Sequence, residues 1–281
     1  MTDAQKRIQL VCAHSWLPFV VLTGLGFWGL AGFIPPPDPN GGAVEILNRF
    51  RDHATGIRVG MALCIFAAAF LLLWGAAISA QIHRLEGRHP VLLWAFVAGT
   101  GCIVLEFAFP SAFWVAAAYR LDVPTTVRAL NDLAWLPWMI ISTGMFQMLI
   151  LAVVTLADER PNPVYPRWFG YYNLWSALGV APASLLYVFK TGPFAWNGVF
   201  GFYLPALTAF SWIVLSGVLT GRAVRRRSDD PDGDATGVEQ RLRVLEARLA
   251  ALGAGEGPVG DGPARAPRDA VPAWAEPTVE P

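Results

Sequence analysis

The chain has 281 residues, of which 54% are hydrophobic and only 15% charged, and its mean hydropathy is +0.43. Soluble globular domains carry about 25% charged residues, so the composition is that of a membrane protein. A formal net charge of zero argues against a nucleic acid or any other polyanion as partner.

In chain order, Lys6 and Arg7 precede an apolar run from Ser15 to Ile34. That run exceeds the length of a signal-peptide core and has no small-x-small cleavage site, so it is expected to be a retained first span. A spanning helix needs about 20 apolar residues. Six runs qualify, at 15–34, 57–80, 90–119, 128–157, 167–190 and 194–221. The expected fold is therefore all-α, a polytopic bundle of six transmembrane helices with a short cytoplasmic helix. Its expected divisions are a cytoplasmic N-terminus (1–14), a six-helix domain (15–222), an acidic linker (223–237), an amphipathic or short coiled-coil helix (238–253) and a disordered tail (254–281).

Lys and Arg set the orientation. With both termini cytoplasmic, the inner side holds ten such residues, from Lys6 and Arg7 to the Arg225–Arg226–Arg227 cluster, against six outside. The expected location is the cell inner (plasma) membrane, multi-pass, N-in and C-in. Trp16, Trp94 and Trp168 fall near inner ends, and Trp28, Trp114 and Trp196 near outer ends, as interfacial aromatics do. The long first outer loop ends in a stretch with Val44, Leu47 and Phe50 at helical spacing, which predicts a short surface helix. Gly60, Cys64 and Ala68 recur every four residues in span two, and Gly26, Gly29 and Gly32 every three in span one. Small residues so spaced mark close packing, between spans or between copies.

Three polar groups are candidates for chemistry. The first is Glu106 in CIVLEFAFP, four residues before Pro110 in span three. At a rise of about 1.5 Å per residue it sits roughly 20 Å below Tyr119. No Lys or Arg shares that depth, but Ser142, Thr143, Ser176, Thr208 and Ser211 do. The expectation is a protonated acid bonded to a hydroxyl or carbonyl, either structural or serving ligand binding or proton coupling. Pro110 lacks an N–H, frees the carbonyl of residue 106 and bends the helix there. The second candidate is a ring of helix-end groups: Arg58, Arg128, Asn131, Asp132, Lys190 and Asn197. Arg128 and Asp132 are one turn apart and can pair. These groups either line an outer vestibule or solvate helix ends. The third is HRLEGRH, with His83, Glu86 and His89. Residues six apart on a helix lie about 120° apart, so the imidazoles do not converge, and no metal site is expected.

Cys12, Cys64 and Cys102 form neither a CxxC pair nor a metal spacing. There is no Walker loop, no GxSxG and no GxGxxG before a helix, so no catalytic residue and no cofactor is expected. Beyond the linker, Val238, Leu242, Leu245, Leu249 and Leu252 form two heptads, with Arg241 and Arg248 at g and Glu239 and Glu246 at e. This helix either pairs with a second copy or rests on the membrane.

From residue 53 to about 205 the chain resembles a group of uncharacterised bacterial six-span membrane proteins. The resemblance is carried by HATGIRVGM, QIHRLEGRHPVL, LNDLAWL, YPRWFGYYNLWSALGVAPASLLYVF and above all KTGPFAWNG. It implies one continuous membrane domain and transfers no activity, ligand or site. Three functional classes remain, in order of preference. The first is a non-enzymatic accessory or binding protein holding a lipid-like or hydrophobic small molecule. The second is a small transporter using Glu106 as a proton carrier, and the third a membrane enzyme subunit. The expected partners are membrane lipid and either a second copy or another membrane protein. A closed bundle with Glu106 bonded to Ser or Thr favours the first class, and an open path from Glu106 to the outer vestibule favours the second.

Overall fold

The computed structural model describes residues 2–86, 90–140, 142–229 and Glu246. Among these, all regular structure is helical. Five helical rods are long and apolar enough to cross a membrane: Asp3–Leu30, Ala54–Glu86, Val91–Ala118, Pro124–Leu156 and Gly192–Arg227. The protein is thus a membrane-embedded helical bundle. The heptad segment, apart from Glu246, and the tail lie outside the described residues, as do Arg88 and His89.

The first rod is α1 (Asp3–His14), α2 (Trp16–Thr23) and a π-helical turn (Gly24–Leu30). Thr2 opens it with a reciprocal cap: its side chain accepts from the Gln5 amide, and the Gln5 side chain accepts from the Thr2 amide. The expected N-terminal segment is therefore helical and continuous with the first span. Next come α3 (Ala43–Asp52), then α4 (Ala54–Ala68) and α5 (Phe70–Glu86), which make the second rod. The third rod is α6 (Val91–Ala118). The fourth is broken: α7 (Pro124–Trp135), a 3₁₀ turn at Pro137–Met139, then α8 (Ser142–Leu156). Pro137 has no N–H and ends the hydrogen-bond ladder of α7.

The fifth apolar run becomes α9 (Arg167–Val180) and a 3₁₀ segment, Ala181–Tyr187. It is not among the five rods apolar enough to cross by composition, because it carries Tyr171, Tyr172 and Asn173. The last rod ends in α10 (Leu204–Asp229), which runs past residue 222, so the boundary expected there lies inside a helix.

The rods close into a ring. The second rod packs on the first and third, α6 on α7 and α8, α8 on α9, α9 on α10, and α10 back on α1 and α5. Lipid removes the hydrophobic drive between helices, so contact depends on small residues and interhelical hydrogen bonds. Gly26 and Gly60 lie so close that a Cβ on either would meet the other's carbonyl oxygen. Gly60, Cys64 and Ala68 are fully occupied inside the chain, which leaves no such stripe for self-association. Gly32 instead takes a positive φ of 63° and ends the first rod, and Gly29 meets only its own Leu25. Across the ring, the Trp74 indole donates to the Ile213 carbonyl at 3.2 Å, and Trp212 donates to Asn173 Oδ1 at 2.7 Å.

Two cores result. One surrounds Trp74, Phe96, Leu151, Phe169 and Trp212. The other lies toward α3 and is largely aromatic, with Phe27, Phe33, Phe50, Trp114, Trp135, Trp196 and Phe202. Trp114 and Trp196 are therefore core residues, not interfacial anchors, whereas Trp28, Trp94 and Trp168 are exposed. The expected helix in the first loop is α3, but it packs on α7 through Ile46, Leu47 and Phe50 while Val44 points outward. The loop before it is pinned by Arg49, which donates to the carbonyls of Gly32 and Pro35, and by the Trp196 indole donating to Pro37.

Candidate functional site: a cavity beside Glu106

Glu106 lies near the middle of α6, one turn before Pro110. Thr143, in the first turn of α8, donates its hydroxyl hydrogen bond to Glu106 Oε1. The second oxygen, Oε2, has no hydrogen-bond partner among the described residues. One turn further along α8, Gln147 donates to the Phe96 carbonyl and to Thr100 Oγ1, both at 2.8 Å. The α6–α8 seam is thus polar at two successive levels.

Glu106 reaches α8 because the fourth rod is broken beside it. The break exposes backbone groups that a continuous helix would satisfy. One is covered from outside the rod: the Tyr187 hydroxyl donates to the Leu136 carbonyl at 3.0 Å. Tyr187 also lies within electrostatic reach of Glu106.

Against Glu106 lies a cavity of about 70 Å³ between α6, the start of α8, the end of α9 and α10. Its walls include Phe107, Trp138, Phe210 and Trp212, with Met139, Met145 and Met148. Among the described residues, Glu106 is the one ionisable side chain in that lining. Glu106, Met145, Ala206 and Ala209 are half-buried, so the cavity has an open side.

Toward α3 the cavity is closed by rings. Trp138 stacks on Phe27 at 4.7 Å and meets Phe107 edge-on at 4.9 Å. Phe27 and Trp138 both contact Trp114, which contacts Trp135 at 5.1 Å. The carboxamide of Asn131 holds this stack: its Oδ1 accepts from the Trp114 indole at 3.3 Å and from the Trp135 indole at 3.2 Å. Asn131 is fully buried, and while its Oδ1 serves the core its amide nitrogen donates to Asp132 Oδ1 at 3.5 Å.

The remaining helix-end candidates only partly converge. Arg128 and Asp132 approach at 4.0 Å, each about one-third exposed, and Lys190 is within electrostatic reach of Asp132. Surface pairs of this kind contribute little stability. Arg58 instead donates to Ala54 and Thr55 in its own helix and lies over the Tyr119 ring at 5.7 Å. Asn197 is half-buried and has no side-chain hydrogen bond to a described residue.

Among the expected hydroxyl partners of Glu106, Thr143 alone bonds to it. Ser142 is exposed, Ser176 is buried without a partner, and Ser211 bonds to Tyr172 and to the Thr208 carbonyl. Glu86 of HRLEGRH caps α6, accepting from the Leu92 and Leu93 amides at 2.8 and 2.7 Å. A carboxylate there suits the positive end of the helix, and it is occupied. His83 is exposed and His89 lies outside the described residues. Sequence reasoning misses Trp138, Tyr187 and the methionines; Pro137 is the available signal for the break that brings them to Glu106.

A larger open cleft of about 560 Å³ lies between the ends of α5 and α8 and the start of α6. Four of its charged groups, Arg84, Glu86, Asp158 and Arg160, are engaged. Arg84 donates to Gln81, and Asp158 accepts from both Arg160 nitrogens and from the Val164 amide. Burial opposes the charged form of Asp158, but Arg160 and the Val164 amide outweigh it and hold the carboxyl below its usual range.

Comparison of the chain with protein-family models, with curated proteins and with solved structures finds no match.

Proposed function

We propose that the protein is a non-enzymatic membrane binding protein whose cavity beside Glu106 holds part of a hydrophobic small molecule. The observation that carries this reading is an apolar, aromatic and methionine-rich cavity with, among the described residues, a single carboxyl whose Oε2 is unbonded. Ligand sites are mostly apolar surfaces with a few placed polar groups. Methionine side chains adapt to varied occupants. The aromatic stack from Phe107 and Trp138 to Trp135 separates the cavity from Asp132, which supports binding over conduction.

Native mass spectrometry of protein released from lipid tests this. Wild type is expected to carry a hydrophobic adduct that Ala209→Leu loses, because Leu fills the cavity wall. Equal adducts on both proteins would place the bound molecule elsewhere and overturn the reading.

A second reading is a proton-coupled transporter using Glu106. The break in the fourth rod favours it, because discontinuous helices at mid-depth recur at transport sites. A proton flux in proteoliposomes that Glu106→Gln abolishes would establish it. Absence of flux in wild type returns the binding reading.

We further propose six spans in a cell's inner membrane with both termini in the cytoplasm, a reading that rests on the six apolar runs and on the balance of Lys and Arg between the two sides. The segment 167–187 supplies the additional crossing. Fourteen α-helical and seven 3₁₀ residues reach about 35 Å, against a hydrocarbon core of about 30 Å. Arg222, Arg225, Arg226 and Arg227 at the end of α10 favour the cytoplasmic side.

A further inference from the structure

The cavity's chemistry restricts its occupant further, a restriction that rests on the binding function proposed for it. Three observations combine. Glu106 Oε2 has no partner among the described residues, while Oε1 is held by Thr143, so the carboxyl is oriented but half-used. The walls present the rings of Phe107, Trp138, Phe210 and Trp212. Among the described residues, no Lys, Arg or His lines the cavity. Negative charge bounded by π faces is the environment that cations prefer.

A preformed cation is costly to bring to this depth, and so is a lone carboxylate. Both costs are avoided if a neutral base arrives and a proton moves within the site. We propose that the cavity takes the head of a protonatable aliphatic amine, with Glu106 as its counter-ion. The neutral amine enters from the lipid side. Its nitrogen lone pair forms an N–H bond as the Glu106 O–H bond breaks, leaving an ammonium beside a carboxylate. The site's net charge is zero before and after. Thr143 continues to donate to Oε1 and stabilises the carboxylate.

Size sets the rest. The cavity, about 70 Å³, is much smaller than the roughly 300–1,000 Å³ of a site that encloses a whole drug-sized ligand. It therefore suits the compact head of a longer molecule, such as a dimethylamino group. The alkyl chain leaves through the open side, where Met145, Ala206 and Ala209 are half-buried.

The test is equilibrium binding of radiolabelled N,N-dimethyloctylamine to the full chain in nanodiscs, with empty nanodiscs subtracted. Competitors are unlabelled amine and 2-methyldecane, the hydrocarbon of the same shape. Saturable binding is expected, displaced by amine and not by hydrocarbon, and about tenfold or more weaker in Glu106→Gln. Ala209→Leu, which leaves the carboxyl in place, should also remove it, so the result does not depend on one variant folding. Binding that Glu106→Gln retains, or that the hydrocarbon displaces equally, overturns the amine while leaving a hydrophobic site. No saturable binding of the amine, with the hydrophobic adduct still lost in Ala209→Leu, also overturns the amine and leaves that site. No saturable binding together with no such adduct overturns both.

Discussion

Thr143 and Glu106 join two helices that the sequence separates by 37 residues, and they meet where the fourth rod is broken. The bond costs α8 no backbone hydrogen bond, because it uses the Thr143 side-chain hydroxyl and leaves the helix's own ladder intact. It orients the carboxyl toward α8 and leaves Oε2 beside the cavity.

Replacing Glu106 by Gln keeps shape and hydrogen-bonding capacity, so it should leave stability near wild type. Glu106→Leu removes the interhelical bond and should cost about 0.5–1.5 kcal/mol. Thr143→Val should cost a similar amount, and the double variant should cost less than the sum of the two. Equilibrium unfolding in mixed micelles measures this. Additive losses would mean that the two residues act independently.

Gly60→Ala should be among the most damaging single changes. The added Cβ meets the Gly26 carbonyl, which is backbone and cannot swing aside. Forcing the rods apart is expected to cost about 1–3 kcal/mol. Gly101→Ala, where a Cβ meets nothing within 4 Å, should be neutral or slightly stabilising. Thermal unfolding of the two variants side by side decides. Equal midpoints would show that the Gly26–Gly60 approach is not close in the membrane.

Asn131→Leu leaves two buried indole N–H groups, on Trp114 and Trp135, without their acceptor. Each unsatisfied donor costs about 1–3 kcal/mol, so destabilisation of several kcal/mol and altered tryptophan fluorescence are expected. Asp132→Asn, at the neighbouring half-exposed position, should change stability by less than about 1 kcal/mol. The opposite ranking would return Asn131 to the helix-end role that the sequence suggested.

Run lengths are legible in the sequence because lipid demands a minimum apolar length. Glu106 is legible as an acid with a hydroxyl partner, and Thr143 is among the five candidates. Choosing among them needs the break at Pro137, which rotates α8 independently of α7. Asn131 looks like its neighbours Arg128 and Asp132 because all three fall within about one turn; which side faces the core depends on the partner helix. The Gly60 stripe announces a close approach, yet spacing cannot say whether the partner is Gly26 of the same chain or another copy. The run at 167–190 is long enough, but its hydroxyls and Asn173 make composition alone equivocal, and the last third of its helical length is 3₁₀.

Asp158 provides a pH-dependent prediction. Its carboxyl sits below the ordinary range in the folded protein, and its side chain is 2% exposed. A depressed carboxylate contributes stability above the unfolded value, and that contribution is lost as pH falls through the folded value. The 157–166 connection should therefore become protease-sensitive on acidification below the usual carboxylate range. Asp158→Asn should be sensitive already at neutral pH and respond little to acid. A loop equally protected at all pH values would contradict this.

Reporters fused after residue 227 and within 158–166 should both read as cytoplasmic. Opposite readings would mean that 167–187 does not cross.

The cavity itself is tested most directly by carboxyl labelling at Glu106. A hydrophobic carbodiimide should label Glu106 of the lipid-embedded protein, as mapped by peptide mass spectrometry, while a water-soluble carbodiimide should not. Ala209→Leu, which fills the cavity, should slow the reaction. Rapid labelling by the water-soluble reagent would place Glu106 on an aqueous path. Labelling unaffected by Ala209→Leu would show that the carboxyl is reached from elsewhere. Either result would contradict a lipid-side cavity with Glu106 in its wall.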